Sequence, residues 1–236
     1  METTIGFLTI GQSPREDVVP EIARLLNRDV RIVERGALDG LTRPEILKLA
    51  PEKGDLALIT RLRDGSPVVV GKKKIVPLLK RQTRLLTEQH VRPIALLCTD
   101  EFPAFGPRGI LLLPSRLLFR ATVTLLKRGK LGIFVPLESQ KEAAKKRWQK
   151  TGLGLVVETL NPYRGSPPYG AAVERMRGEK VDLVVFDCIG YTIRTAKEIE
   201  AGLKKPSLSP RTVLADGIKN LMSGIIGENK ECDDGP

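Results

Sequence analysis

The sequence is short of the residues that most often announce a function. It has one histidine, three cysteines, one tryptophan and 4% aromatic residues in 236 positions. Cys98, Cys188 and Cys232 are odd in number and widely spaced, which fits neither a disulfide framework nor a zinc site with paired ligands. No apolar run approaches the roughly 20 residues of a membrane-spanning helix. The opening METTIGFLTIG has no basic segment followed by a long apolar stretch and a small-residue cleavage site, so it reads as a first strand and not as a secretory signal. Neither a low-complexity segment nor an internal repeat of roughly 20 to 50 residues is visible. The expectation is a cytoplasmic chain with no metal, no cofactor and no membrane partner.

What the chain has in quantity is aliphatic residues and positive charge. Hydrophobic residues make up 41% of it, enough to bury one large core or two smaller ones. A formal net charge of +11 invites a nucleic-acid reading. The basic runs Lys72-Lys73-Lys74, Lys145-Lys146-Arg147 and Lys204-Lys205 are scattered, however, and no DNA- or RNA-binding motif accompanies them. Solvated helix faces explain them more simply, and nucleic acid ranks last among the partners.

Short β-rich apolar runs alternate with segments of helical spacing. The predicted strands are Ile5 to Ile10, Val30 to Glu34, Leu56 to Arg61, Ile94 to Cys98, Gly132 to Pro136, Leu155 to Leu160 and Leu183 to Cys188. Helices are predicted over Val18 to Leu26, Ile75 to Leu86, Leu117 to Leu126, Lys141 to Lys150, Ala171 to Met176 and Ile193 to Leu203. Strand, helix, strand in succession implies an α/β protein with mainly parallel sheet. Asp64-Gly65 between LALITRLR and SPVVVG signals a hairpin, hence one antiparallel edge strand. Two echoes suggest similar halves: Ile94 to Thr99 and Leu183 to Ile189 both run an apolar strand into a cysteine, and Ser13-Pro14-Arg15 and Ser209-Pro210-Arg211 both open helices.

Three places carry chemistry. In TIGQSPRED, Ser13 reads as an N-cap, Pro14 as the first helical residue and Glu16 as the end of a capping box. Gly11 there allows close backbone approach, and free N–H groups at the helix start, with Gln12 or Arg15, favour an anion. An ordinary capped helix is the competing reading. Cys98 and Cys188 close strands at the edge of a cleft, where a following helix N-terminus would lower a thiol's pKa and make it a base. Taken singly, such a cysteine is more often an inert core residue; two in matched contexts shift the balance. Arg61, ending a third strand, is placed to reach an anion or simply to face solvent. His90, Trp148, Tyr163 and Tyr169 are assigned to packing and loop order, with Asn161 to Gly170 as a lid over the cleft.

The blocks TIGQSPRED, RGALDGL, LITRLRDG, LLCTDEFP, LGIFVP, LVVFDCIGYT and SPRTVLADGIKNL together resemble the AroM family, from about Ile5 to about Met222. Through it the chain is similar to the aspartate/glutamate racemase superfamily. That resemblance implies two pseudo-symmetric α/β lobes with a site between them and a cofactor-independent pair of cysteines, matched here by Cys98 and Cys188. It implies that one thiolate takes an α-proton while the other thiol delivers one to the opposite face. Thr99, Tyr191 and Thr192 are placed to supply hydroxyls and Gly190 an exposed backbone for the substrate carboxylate. The superfamily follows its cysteines with Asn-Thr and Thr-His; this chain has Thr99-Asp100 and Ile189-Gly190. Carboxylates at Asp100 and Asp187 would raise a neighbouring thiol's pKa unless they point away.

The expected organisation is a first lobe of residues 1–112 joined by a returning helix of 208–228, a second lobe of 113–207 and a flexible tail of 229–236. The expected function is racemisation or isomerisation of a small anionic carboxylate, with a homodimer left open. The alternative is a non-catalytic binding protein for an anionic metabolite.

Overall fold

The computed structural model describes residues 4–27, 30–103, 110–163 and 169–227. The first half holds strands β1 (Thr4–Thr9), β2 (Arg31–Gly36), β3 (Ala57–Arg61), β4 (Pro67–Gly71), β5 (Ile94–Leu97) and β6 (Leu111–Leu112). Among them lie helices α1 (Val19–Leu26), α2 (Arg43–Leu47) and α3 (Lys72–Glu88). The second half runs α4 (Pro114–Leu125), β7 (Lys130–Val135), α5 (Lys141–Trp148), β8 (Gly154–Thr159) and α6 (Tyr169–Gly178). It continues with β9 (Leu183–Phe186), α7 (Ile193–Leu203), β10 (Ser207–Leu208) and α8 (Pro210–Gly227).

Two four-stranded parallel sheets result, ordered β2-β1-β5-β6 and β8-β7-β9-β10. The orders superpose strand for strand: β1 answers β7, β2 answers β8, β5 answers β9 and β6 answers β10. The repeat is therefore in the topology, and it makes the two cysteine-ending strands equivalent. It does not make the two Ser-Pro-Arg segments equivalent, because one follows β1 and the other follows β10. Central strands β5 and β9 are buried on both faces, which is why they read as unbroken apolar runs.

Each sheet is covered on both sides. One face of the first packs with α3 and the β3–β4 hairpin through Leu8, Leu96, Ile75 and Leu79; the other packs with α1 and α8. α1 presents Val19, Ile22 and Leu26 on one stripe. Leu214, Ile218 and Met222 of α8 meet them beside Ile5 and Phe7, so the last helix returns to the first sheet. The second sheet packs α6 and α7 on one face, and α5 with Leu118 of α4 on the other. None of the described helices is long and apolar enough to cross a membrane.

Two expectations are corrected here. The hairpin forms as read, with Gly65 at φ +80° and Asp64 Oδ1 accepting from the Ser66 N–H at 2.8 Å, but β3 and β4 pair only with each other in a sheet of their own. It is no edge of the parallel sheets. The Ser13 capping box does not form either: α1 starts at Val19, and Ser13 Oγ donates to Asp39 Oδ2 at 2.6 Å instead. A capping box does occur where Thr42 and Glu45 open α2. The lid expectation over 161–170 falls partly on 164–168, and the tail expectation entirely on 228–236, outside the described residues.

Candidate active site

Cys98 directly follows β5, and Cys188 lies two residues beyond β9, so the equivalent strands of the two sheets each deliver a buried thiol from their carboxyl ends. Both cysteines line one cavity, together with Arg15, Thr99, Asp100, Arg147, Tyr163 and Asp187. It encloses about 40 Å³. At ~10–15 Å³ for each water, that volume is on the scale of a few waters, and an amino acid enters only if the cleft widens.

Among the described residues, no helix N-terminus directly follows either thiol: residues 99–103 are not helical, and α7 begins only at Ile193. The expected lowering of the thiol pKa values is therefore overturned. Burial pushes Cys98 up to about 12, and the Asp100 carboxylate pushes the same way; the Asp100 backbone N–H and Lys72 pull back without prevailing. The charge of Cys188 also acts on Cys98, so ionising one thiol disfavours ionising the other. Burial raises Cys188 as well, against several opposing groups that do not outweigh it. They are the Gly190 N–H, which donates to its sulfur at 3.4 Å, the charges of Arg15 and Arg211, and the Tyr163 hydroxyl.

A relay of polar groups reaches Cys188. Arg15 is almost wholly buried, bonded to both oxygens of Asp17 at 2.7 and 2.9 Å and to the Tyr163 hydroxyl at 3.3 Å. Burial works against its charge, yet Tyr163 and Asp17 more than offset that and hold the guanidinium protonated. Burial, then the charge of Cys188, raises Tyr163, so its hydroxyl stays a donor. Gly190 keeps this packing possible, since a Cβ there would lie 2.6 Å from the Tyr163 ring and hydroxyl. Arg211 is the counterpart on α8, donating to the Ile189 and Gly190 carbonyls and pairing with Glu21 at 2.5 Å.

The acidic neighbours of the thiols are neutralised across the cleft. Arg147, at the end of α5, pairs with Asp187 and lies 3.5 Å from Asp100. Asp100 also takes the Lys72 ammonium at 3.1 Å, and Asp187 accepts from Trp148 Nε1 at 2.9 Å. Two cations thus face two carboxylates, one carboxylate from each sheet. Burial pulls the Arg147 guanidinium downward, opposed chiefly by Asp100. Gln140 Nε2 adds a second tie, donating to the Ala57 carbonyl at 2.8 Å.

The residues singled out from sequence divide cleanly. Cys98, Cys188, Thr99 and Arg15 line the cavity; Gly11, Gln12, Ser13, Arg61, Gly190, Tyr191 and Thr192 do not. The supposed anion cradle is spent internally: the N–H groups of Gly11, Gln12, Ser13 and Arg15 donate to Thr9, Arg61, Asp39 and Glu34. Gly11 is needed for close approach, since a Cβ would lie 2.4 Å from the Arg61 carbonyl oxygen. Tyr191 is core, its ring tilted against Phe186 and its hydroxyl bonded to the Leu160 carbonyl. Thr192 caps α7 by accepting from the Thr195 N–H. Arg61 sits over the Tyr163 ring at 5.2 Å, and its buried Nε has no hydrogen-bond partner among the described residues. Sequence reasoning missed Arg147, Gln140 and the functional placement of Tyr163.

Comparison with known proteins adds the following. A family model described as AroM protein matches residues 5–222. No curated protein matches the sequence. Among solved structures, the aspartate racemase of Picrophilus torridus is similar at a TM-score of 0.62 and 13% identity, covering 94% of each chain. The maleate isomerase Iso of Pseudomonas putida S16 has the same TM-score, 12% identity and 94% coverage of each chain. The glutamate racemase of Francisella tularensis, solved in complex with D-glutamate, has a TM-score of 0.61 at 11% identity, covering 100% of this chain and 85% of that one. The fold is that of the aspartate/glutamate racemase superfamily.

Proposed function

This chain belongs to the AroM family, and we propose that it is a cofactor-independent racemase or isomerase that moves a proton at the carbon next to a small carboxylate. The observation that carries this reading is the shared cavity, with one thiol from each of two equivalent strands. Inversion at carbon needs removal of a proton on one face and delivery on the other, so two groups must flank the reacting centre.

The electrostatics divide the roles. Cys188, whose thiol pKa burial also raises, but against the opposing pull of the Gly190 N–H, Arg15, Arg211 and Tyr163, is the base: its thiolate sulfur takes the α-proton, and the electron pair of the broken C–H bond passes into the carboxylate. Cys98, kept neutral by burial and Asp100, is the acid: its S–H proton goes to the opposite face as the pair returns to carbon, leaving the thiolate on Cys98. Proton exchange with water, or the reverse reaction, restores the starting state. The growing carboxylate charge needs cations, and Arg147 lines the cavity where a ligand carboxylate would compete with Asp100 and Asp187 for it.

The test is α-deuterium uptake from deuterated water by a panel of small amino and hydroxy acids. Uptake is expected with at least one of them, is lost in Cys188→Ser, and in Cys98→Ser is kept only for the hand whose proton faces Cys188. A full panel without uptake removes the enzyme reading.

The raised thiols and small cavity favour a second reading, a non-catalytic binding protein for an anionic metabolite. Under it, a carboxylate binds with the same affinity to wild type and to the double Cys98→Ser/Cys188→Ser variant, and no uptake occurs.

A further inference from the structure

Beside the thiol cavity lies a second one that is neither small nor charge-balanced. It encloses about 550 Å³, within the ~300–1,000 Å³ typical of pockets for small organic ligands. One wall is α4, with Ser115, Arg116, Phe119 and Arg120; another is the end of α5, with Arg147, Trp148 and the following Lys150; Glu101 and Phe102 close it.

Its charges are arranged against the interest of the fold alone. Arg116 and Arg120 are four residues apart on one helix and therefore share a face, where like charges repel. Arg116 stands in the first turn of α4, which has no acidic residue, so its charge adds to the positive end of the helix dipole. Neither guanidinium has an ion-pair partner among the described residues. Lys150 reaches Glu101 at 3.4 Å, and Arg147 is already committed to Asp100 and Asp187. Leaving Arg147 aside, three cations face a single carboxylate in this pocket. Much of the remaining lining is aromatic: Phe119 and Trp148 lie with ring centroids 6.0 Å apart and planes tilted by 31°, and Phe102 lines the same pocket.

We propose that this pocket binds a small planar organic anion. Its phosphate or carboxylate is held by Arg116, Arg120 and Ser115 at the start of α4, and its ring lies against Phe102, Phe119 and Trp148. The assignment does not depend on proton transfer at the cysteines, from which Arg147 separates it.

Trp148 is the only tryptophan, so its emission reports the pocket directly. The full chain is titrated with phenyl phosphate, benzoate, inorganic phosphate and phenol. A saturable change in Trp148 emission is expected with phenyl phosphate or benzoate, and the tighter of the two identifies the anionic group. Inorganic phosphate and phenol, each with half of the recognised chemistry, are expected to bind at least about tenfold more weakly. Arg116→Gln/Arg120→Gln is expected to weaken the aromatic anion at least about tenfold with an unchanged circular dichroism spectrum, and the exposed single change Arg120→Gln to weaken it measurably. The proposal is overturned if neither aromatic anion gives saturation up to about 10 mM, or if the arginine variants bind as wild type does.

Discussion

The ends of β5 and β9 occupy equivalent places in equivalent sheets, carry the same side chain, and yet hold it in different company. Cys98 has a carboxylate two residues on, and that carboxylate's charge adds to burial in keeping the thiol neutral. Cys188 also has a carboxylate beside it, at Asp187, but that group is turned away into Arg147 and Trp148. The Cys188 sulfur instead receives a backbone N–H and faces Arg15, Arg211 and Tyr163. Topological symmetry therefore places two thiols, and local electrostatics make them unequal. The proposed proton transfer needs one sulfur ionised and the other protonated, and unequal surroundings favour that state over two like ones.

The comparison breaks most visibly in activity. General acid–base groups contribute about 10²- to 10⁴-fold, so Cys188→Ser should reduce deuterium uptake by at least about a hundredfold for either hand of the substrate. Cys98→Ser should spare wash-out from the hand whose proton faces Cys188; equal loss for both hands in both variants would show that the thiols are interchangeable.

Next in size is the charge clamp that lets both carboxylates sit beside thiols. Removing one partner of a buried ion pair costs about 3–5 kcal/mol, and Arg147→Ala strands Asp187, whose side chain is 1% exposed. Urea unfolding should show a loss of that order, discounted somewhat because Asp100 keeps Lys72. A loss under about 0.5 kcal/mol, typical of surface substitutions, would mean that the pair does not hold the cleft.

A smaller effect concerns alkaline stability. Burial pushes Cys98 in the folded chain up to about 12 from its ordinary 9.0, so the folded state binds more protons than the unfolded one between those limits. Stability from this thiol is complete below the unfolded pKa and is lost as pH rises through the folded one. Unfolding free energy should fall with pH across that window in wild type, and fall less steeply in Cys98→Ser.

Much of this was legible in sequence, for physical reasons that also explain what was not. The parallel sheets announce themselves because fully buried strands such as Leu183–Phe186 must be apolar on both faces. Cys98 and Cys188 stand out because a strand's carboxyl end is where such sheets open. The SPRED segment misled because its capping box is a local pattern, while Ser13 answers to Asp39, 26 residues away. Arg147 was hidden for the same reason: inside KKRWQK it looks like a solvated helix face, and its partner Asp187 is 40 residues distant. Tyr191 and Thr192, close to Cys188 in sequence, went to the core and to a helix cap because each hydroxyl had a closer obligation. Side chains whose partners are distant in sequence are the ones a linear reading cannot place.

Whether the two sulfurs sense one another can be measured directly. Iodoacetamide alkylation of Cys98 is followed by peptide mapping across pH, in wild type and in the nearly isosteric Cys188→Ser variant. A shared cavity predicts that Cys98 reacts more slowly than free cysteine in wild type and that its profile moves to lower pH once Cys188 can no longer ionise. A Cys98 profile that stays where it was would show that the thiols do not face a common space.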